Sequence, residues 1–235
     1  MTGATGVAFF DVDETLIAIK SMRSFLDFYF EPNRAPDDPD LWSRLQRQAV
    51  GLSRAEGNRL FYELWAGEPL AAVLEAGRRW FRDVSAREGF WLAPAAERLA
   101  QHRARGHAIV LVSGSFDACL VPLAAEVGAE RVLATGLESR DGVLTGGVSR
   151  SMIGDGKAQA VHAYLAETGA DPARTWGYGD HVSDLPLLEA VAHPVIVGDD
   201  PALLPHAERA GWEHLDASAS ATAAAAAAAA RQPTP

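Results

Sequence analysis

Gly6-Val7-Ala8-Phe9-Phe10-Asp11-Val12-Asp13-Glu14-Thr15 is the stretch whose reading decides the fold. Val7 to Phe10 is an unbroken apolar run, as expected of a strand buried on both faces in a parallel sheet covered by helices. The run stops in acidic residues, so polar chemistry would begin at the carboxyl end of the strand, where open parallel sheets bind ligands. Asp11 and Asp13 are two positions apart, and extended backbone would send both side chains the same way. Two close carboxylates repel unless a cation or a shared proton compensates. An ordinary acidic turn fits the same residues equally well.

Working outward, Ser21 to about Arg87 has helical periodicity, with apolar groups such as Phe25, Leu26, Phe28 and Tyr29, then Leu60, Phe61, Leu64 and Trp65. Glu31–Asp40, rich in proline and acid, reads as a loop between helices. From Pro94 onward helix and strand alternate. Helices are expected at Ala95–Ala104, Asp117–Val127 and Lys157–Glu167, and strands at His107–Val112, Arg131–Ala134, Thr175–Tyr178 and Val195–Val197. Gly136–Arg150 has the composition of a β-hairpin turning at Asp141-Gly142. The fold class is therefore α/β: a Rossmann-like parallel sheet with helices on both faces, plus an inserted all-helical segment. Residues 1–17 and 89–216 form the α/β core on this reading, and 18–88 form the insert. The alanine-rich stretch 217–235 has no apolar face to bury and is expected to be a disordered tail.

Three further chemically loaded segments fall where ligands bind such a sheet. Val112-Ser113-Gly114-Ser115 offers a hydroxyl and free backbone N–H groups ahead of a helix, which suits an anionic oxygen. Gly154-Asp155-Gly156-Lys157 places a lysine in the first helical turn, where the helix dipole disfavours a cation unless it has a specific task. Gly177-Tyr178-Gly179-Asp180-His181-Val182-Ser183-Asp184 adds two more carboxylates. Oxygen ligands from Asp11, Asp13 and Asp180 would suit Mg²⁺, which takes a few carboxylates and keeps waters for a substrate phosphate to replace. Each segment alone also has a bland structural explanation; their order and spacing together do not.

The bulk numbers narrow the class. With 48% hydrophobic and 22% charged residues, the 235-residue chain can bury a sizeable core. A formal charge of −10 argues against a nucleic-acid or membrane-surface partner, because both demand basic patches. The single cysteine, Cys119, excludes an internal disulfide and reads as a packed helical residue. Without a leader-like or membrane-spanning run, a cytoplasmic location is expected, as a monomer or homodimer. Of the 21 basic residues only Lys20 and Lys157 are lysines, so each draws notice.

As a set, Asp11-x-Asp13-x-Thr15, Ser113-Gly114, Lys157 and Gly179-Asp180-x-x-Ser183-Asp184 resemble the haloacid-dehalogenase-like (HAD) superfamily. The resemblance, over roughly residues 5–200, is to the phosphoserine-phosphatase-like branch, subfamily IB, which inserts a helical cap after the first motif. It implies a small-molecule phosphomonoesterase with Asp11 as nucleophile and Asp13 as general acid and base. It further implies Mg²⁺ held by Asp11, Asp180 and the Asp13 backbone carbonyl. Ser113, Gly114 and Lys157 would bind the phosphoryl group, with Asp184 supporting Lys157 and the metal shell. A phosphotransferase or mutase using the same aspartyl-phosphate is the alternative. A catalytically silent binding protein would not need every one of these residues.

Lys20 departs from the branch pattern. Phosphoserine phosphatases carry a glutamate at this position, nine residues after the nucleophile, to receive the substrate ammonium. A lysine there would repel that ammonium at a cost of about 1 kcal/mol or more, depending on the local dielectric. The reading is a substrate other than phosphoserine, one with hydroxyl, carboxylate or second phosphate groups, with Lys20 near it or pointing to solvent. His181 is expected to cover the metal site, and Arg23, Arg54 and Arg59 to be largely solvated. Trp42, Trp65 and Trp80 are expected to pack the insert.

Overall fold

A computed structural model describes residues 5–30 and 40–217. The expected tail, apart from Ala217, and most of the Glu31–Asp40 loop lie outside the described residues. The chain runs β1 (Val7–Phe10), α1 (Ser21–Phe30), α2 (Leu41–Gln48), α3 (Arg54–Glu63), α4 (Leu70–Ser85), α5 (Ala93–Ala104) and β2 (Ala108–Ser113). It continues through α6 (Asp117–Val127), β3 (Arg131–Ala134), β4 (Gly136–Arg140), β5 (Val143–Arg150), α7 (Asp155–Thr168) and β6 (Thr175–Gly179). It ends with α8 (Leu185–Glu189), β7 (His193–Val197), α9 (Leu204–Ala210) and β8 (Glu213–Leu215). Six strands form one sheet in the order β3-β2-β1-β6-β7-β8, every neighbouring pair parallel.

The buried run at the start explains the layering. Ala8 and Phe10 point into the core shared with α5, α6 and the helical insert, while Val7 and Phe9 point into the core under α7. Phe9 meets Tyr164 of α7 edge-on at 5.5 Å, and Phe10 stacks on Tyr178 of β6 at 4.2 Å. Both phenylalanines are fully buried, each worth about 1.5–3 kcal/mol relative to exposure. This double burial makes β1 a central strand and fixes the sheet's register around it.

Between β1 and α5 the described residues form four helices and no strand. Asp40 caps α2 by accepting from the Trp42 and Ser43 N–H groups, and Ser53 with Glu56 forms a capping box on α3. The two connections to the sheet lie side by side. The Ala18 N–H donates to the Phe90 carbonyl at 2.8 Å, and the Leu92 N–H to the Leu16 carbonyl at 3.0 Å. Phe25, Trp65 and Phe116 pack ring against ring, so insert helices and α6 share one core. Trp65 and Trp80 are buried as expected, but Trp42 is only partly buried and lines a cavity. Cys119 is buried and its thiol is pushed up by that burial, which fits a packing residue.

The hairpin β4–β5 turns at Asp141-Gly142, both with positive φ (51° and 78°), as a two-residue turn between twisted strands requires. It is tied to the insert, since the Gly67 N–H donates to the Leu144 carbonyl and the Leu70 N–H to the Gly142 carbonyl.

Candidate active site

The sheet brings the four sequence segments to one place. Asp11 leaves β1 with its N–H still donating to the Tyr178 carbonyl of β6, which sets its position beside the end of that strand. The chain then rolls back through Val12, whose carbonyl accepts from both Leu16 and Ile17, and Glu14 takes the left-handed conformation (φ 62°). That conformation is uncommon outside glycine, so the tightness of this turn is bought at a local cost. β2 closes on Ser113, one residue beyond the expected strand, and the Ser113 hydroxyl accepts from the Ser115 N–H at 3.1 Å. Gly179 closes β6. A Cβ there would come within 2.6 Å of the Asp184 Cβ, so the glycine is what lets Asp184 fold back against the strand end.

Lys157 is the hub. It is not the solvated helix-start lysine that its local sequence suggests, being only 3% exposed. Its Nζ donates to Asp11 Oδ1 at 2.5 Å and to Asp184 Oδ1 at 2.6 Å. Burial opposes its charge, but the Asp11 and Asp184 carboxylates outweigh that and hold the ammonium above its ordinary range. Thr15 supplies a second bridge, its hydroxyl lying 2.7 Å from Asp180 Oδ1 and 3.2 Å from Asp11 Oδ2. Asp184 Oδ2 accepts the His181 N–H.

Charge is left uncompensated. Carboxylate oxygens of Asp11, Asp180 and Asp184 lie within 4.8 Å of one another around one ammonium. Burial lifts Asp11 above its usual range, and Asp184 adds to this against the pull of Lys157. Asp180 is raised to about 8 by burial and by Asp11 and Asp184. Such a group of hard oxygens with excess negative charge fits a divalent cation. Asp13 stands apart from the cluster: its Oδ2 accepts the Ser21 N–H at 2.9 Å, and its Oδ1 is buried without an internal partner. Burial, with help from Asp11, raises Asp13 to about 7. Its carboxylate is not among the three whose oxygens lie within 4.8 Å of one another, though it lines the same cavity as Asp11.

Other expected residues are distributed unevenly. A cavity of about 340 Å³ is lined by Asp11, Asp13, Ser113, Gly114 and Lys157 on the sheet side. Lys20 and Arg54 also line it. Lys20 is half exposed and pairs with Glu14 at 2.9 Å. Arg23 lies over the Trp42 ring instead, and Arg59 is exposed. His181 caps the short turn that follows it and turns its ring toward Asp200, 3.7 Å away. Sequence reasoning missed Asn58 and Tyr62 of α3, which donate to the Gly114 carbonyl at 3.0 and 2.8 Å. The signal was available: 58, 61, 62 and 65 share a helix face, and an asparagine there among aromatic residues is out of place.

Residues 8–189 match the haloacid dehalogenase-like hydrolase family. A probable phosphatase of Mycobacterium tuberculosis is 32% identical over 92% of this chain and 76% of its own length. A protein of the same organism named a phosphoserine phosphatase is 28% identical over 90% of this chain and 71% of its own. A crystal structure from Bordetella pertussis, of unknown function, has 28% identity and a TM-score of 0.79, covering 90% of this chain and 98% of that one. No helix among the described residues is long and apolar enough to cross a membrane. Fold, aspartate cluster and relatives agree: the chain belongs to the haloacid dehalogenase-like hydrolase family, in its phosphatase branch.

Proposed function

We propose that this phosphatase hydrolyses a small-molecule phosphomonoester other than phosphoserine, with Asp11 as nucleophile and 18–88 as a cap over the site. The observation that carries this is the buried Lys157–Asp11 pair at 2.5 Å, with Asp13 and the Asp180–Asp184 cluster around it. Lys157 holds the attacking carboxylate in place and offers positive charge to the phosphoryl oxygens. An Asp11 oxygen bonds to phosphorus as the ester P–O bond breaks, and Asp13 passes its proton to the departing alkoxide oxygen. Asp13, now a carboxylate, takes a proton from water, whose oxygen attacks phosphorus. Phosphate leaves and the Asp11 carboxylate is restored. The Ser113 hydroxyl and the Gly114 N–H are assigned to phosphoryl oxygens. Asp11, Asp180 and the Asp13 carbonyl would hold Mg²⁺, with Asp184 next to them. When bound, that ion supplies charge neutralisation between the incoming carboxylate and the anionic ester.

Against phosphoserine stands the state of the cavity's carboxylates. Asp11 is held by Lys157, Glu14 by Lys20, and Asp13 by the Ser21 N–H. A substrate ammonium would have to break one of these and approach Lys20. The test is Mg²⁺-dependent phosphate release over a metabolite panel, with Asp11→Asn as the blank. Release is expected for the wild type and absent in a folded Asp11→Asn protein; turnover retained by that variant would refute the nucleophile assignment. Phosphoserine as the preferred substrate would refute the specificity.

A further inference from the structure

We propose that the alcohol carried by the substrate is an uncharged apolar chain, lodged against the helical insert and leaving the cavity over the turn between α2 and α3. This rests on the phosphatase reading above and deepens it. The cavity that begins at Asp11 and Lys157 is lined from the insert by Met22, Trp42, Leu45, Ala49, Leu52 and Phe61, with the polar Gln46, Ser53 and Asn58 among them. Ile153, ahead of α7, also lines it. At about 340 Å³ the space exceeds what a phosphoryl group needs and lies in the range of small-molecule sites.

The wall does not stop at the cavity mouth. Among the described residues four large apolar side chains are exposed, and two of them, Val50 at 81% and Leu52 at 43%, stand in this one turn. Leu52 and Ala49 line the cavity, and Val50 lies between them in sequence. An apolar surface that begins beside a nucleophile and continues into solvent fits a ligand longer than the cavity. Lys20 and Arg54 among the lining residues oppose an ammonium on the body, and the apolar wall disfavours a charge of either sign there.

A series of straight-chain alkyl phosphates reads this directly, because the alcohols differ little in leaving ability and chain length changes mainly apolar burial. With ethyl, butyl and hexyl phosphate and Mg²⁺, kcat/KM is expected to climb by at least about tenfold from ethyl to hexyl; full burial would give about fourfold per methylene. 5-Aminopentyl phosphate, similar in length to hexyl phosphate, is expected to fall below it by at least tenfold. In Leu52→Gln, a change at an exposed position, the hexyl-to-ethyl ratio is expected to drop at least threefold. A flat or falling series in the wild type overturns the inference, as does equal use of the aminoalkyl ester or an unchanged ratio in Leu52→Gln. Ethyl phosphate turnover that disappears in Asp11→Asn keeps the phosphatase reading intact in those cases. Release from no ester at all overturns both.

Discussion

Replacing Lys157 by methionine keeps an unbranched apolar stem in the same space and deletes one charge. The structure sets the size of the effect. Lys157, Asp11 and Asp184 are 3%, 6% and 2% exposed, and the ammonium meets both carboxylates at 2.5–2.6 Å. Removing it leaves two buried carboxylates facing each other with Asp180 close by, a situation worth about 3–5 kcal/mol of stability. An exposed ion pair would be worth about 0–1 kcal/mol. The distinction is measurable by urea unfolding in chelator at pH 8, followed by tryptophan fluorescence. Adding Asp184→Asn completes a double-mutant cycle. The amide oxygen of Asn can still accept the His181 N–H that Asp184 accepts at 3.2 Å, so the change removes chiefly charge. Asp184→Asn is expected to recover at least about 1–2 kcal/mol in the Lys157→Met background, as groups in one network couple. A Lys157→Met loss under about 1 kcal/mol, or a strictly additive cycle, would refute the claim that this lysine balances a buried acidic cluster.

Three further outcomes follow from packing, hydrogen bonding and burial. A Cβ at Gly77 of α4 would come within 1.9 Å of the Ala118 carbonyl oxygen, which is backbone and cannot swing aside, so Gly77→Ala is expected to lower unfolding stability by about 1–3 kcal/mol or more. Tyr62→Phe removes one of three donors to the Gly114 carbonyl and is expected to cost about 0.5–1.5 kcal/mol in urea unfolding. His102, 3% exposed, is depressed to about 4 by burial and then by His107 and the nearby arginines. Its folded form resists a proton that the unfolded chain accepts near pH 6.5, so its contribution is intact above that pH and declines from 6.5 to 4. The decline amounts to up to about 3 kcal/mol, read as a shrinking stability difference between wild type and His102→Gln as pH falls from 7 to 4.5.

What was legible in the sequence divides along physical lines. β1, β2 and β6 announce themselves because a strand buried on both faces must be apolar almost throughout, and the acids at β1's end cannot be core. The hairpin was legible because only special residues turn so tightly, and Asp141-Gly142 is such a pair. The elements α8, α9 and β8 were not foreseen. They are five, seven and three residues long, both helices carry proline in their first turn, and the edge strand is largely exposed. Segments so short have no period to read, and tertiary contact decides them. Lys157 was legible only through the distant acids, since nothing next to it in sequence predicts burial. Thr15 appeared only as a motif letter, and its bridge from Asp11 to Asp180 needs the register of β1 beside β6.

Gly114 ties the insert and the loop after β2 into one object. Its carbonyl accepts from Asn58 and Tyr62 of the insert and from Thr135 after β3, at 2.8–3.0 Å. Each bond is worth about 1 kcal/mol by itself, yet all three act on a single peptide group whose neighbour, Ser113, lines the cavity. The Ser21 hydroxyl at the start of α1 adds a fourth tie through the Ser115 hydroxyl at 2.8 Å, while the Ser21 N–H holds Asp13. The helices that wall the cavity therefore also orient the Ser113–Ser115 loop and the Asp13 carboxylate, to which phosphate binding and acid–base work are assigned in the proposal above. A change in the packing of α1 or α3 is transmitted to Asp13 and the Ser113–Ser115 loop through these few bonds. Substitutions that reshape the apolar wall should accordingly spare Asn58, Tyr62 and Ser21 if they are to alter which alcohol is accepted without altering how its phosphate is held.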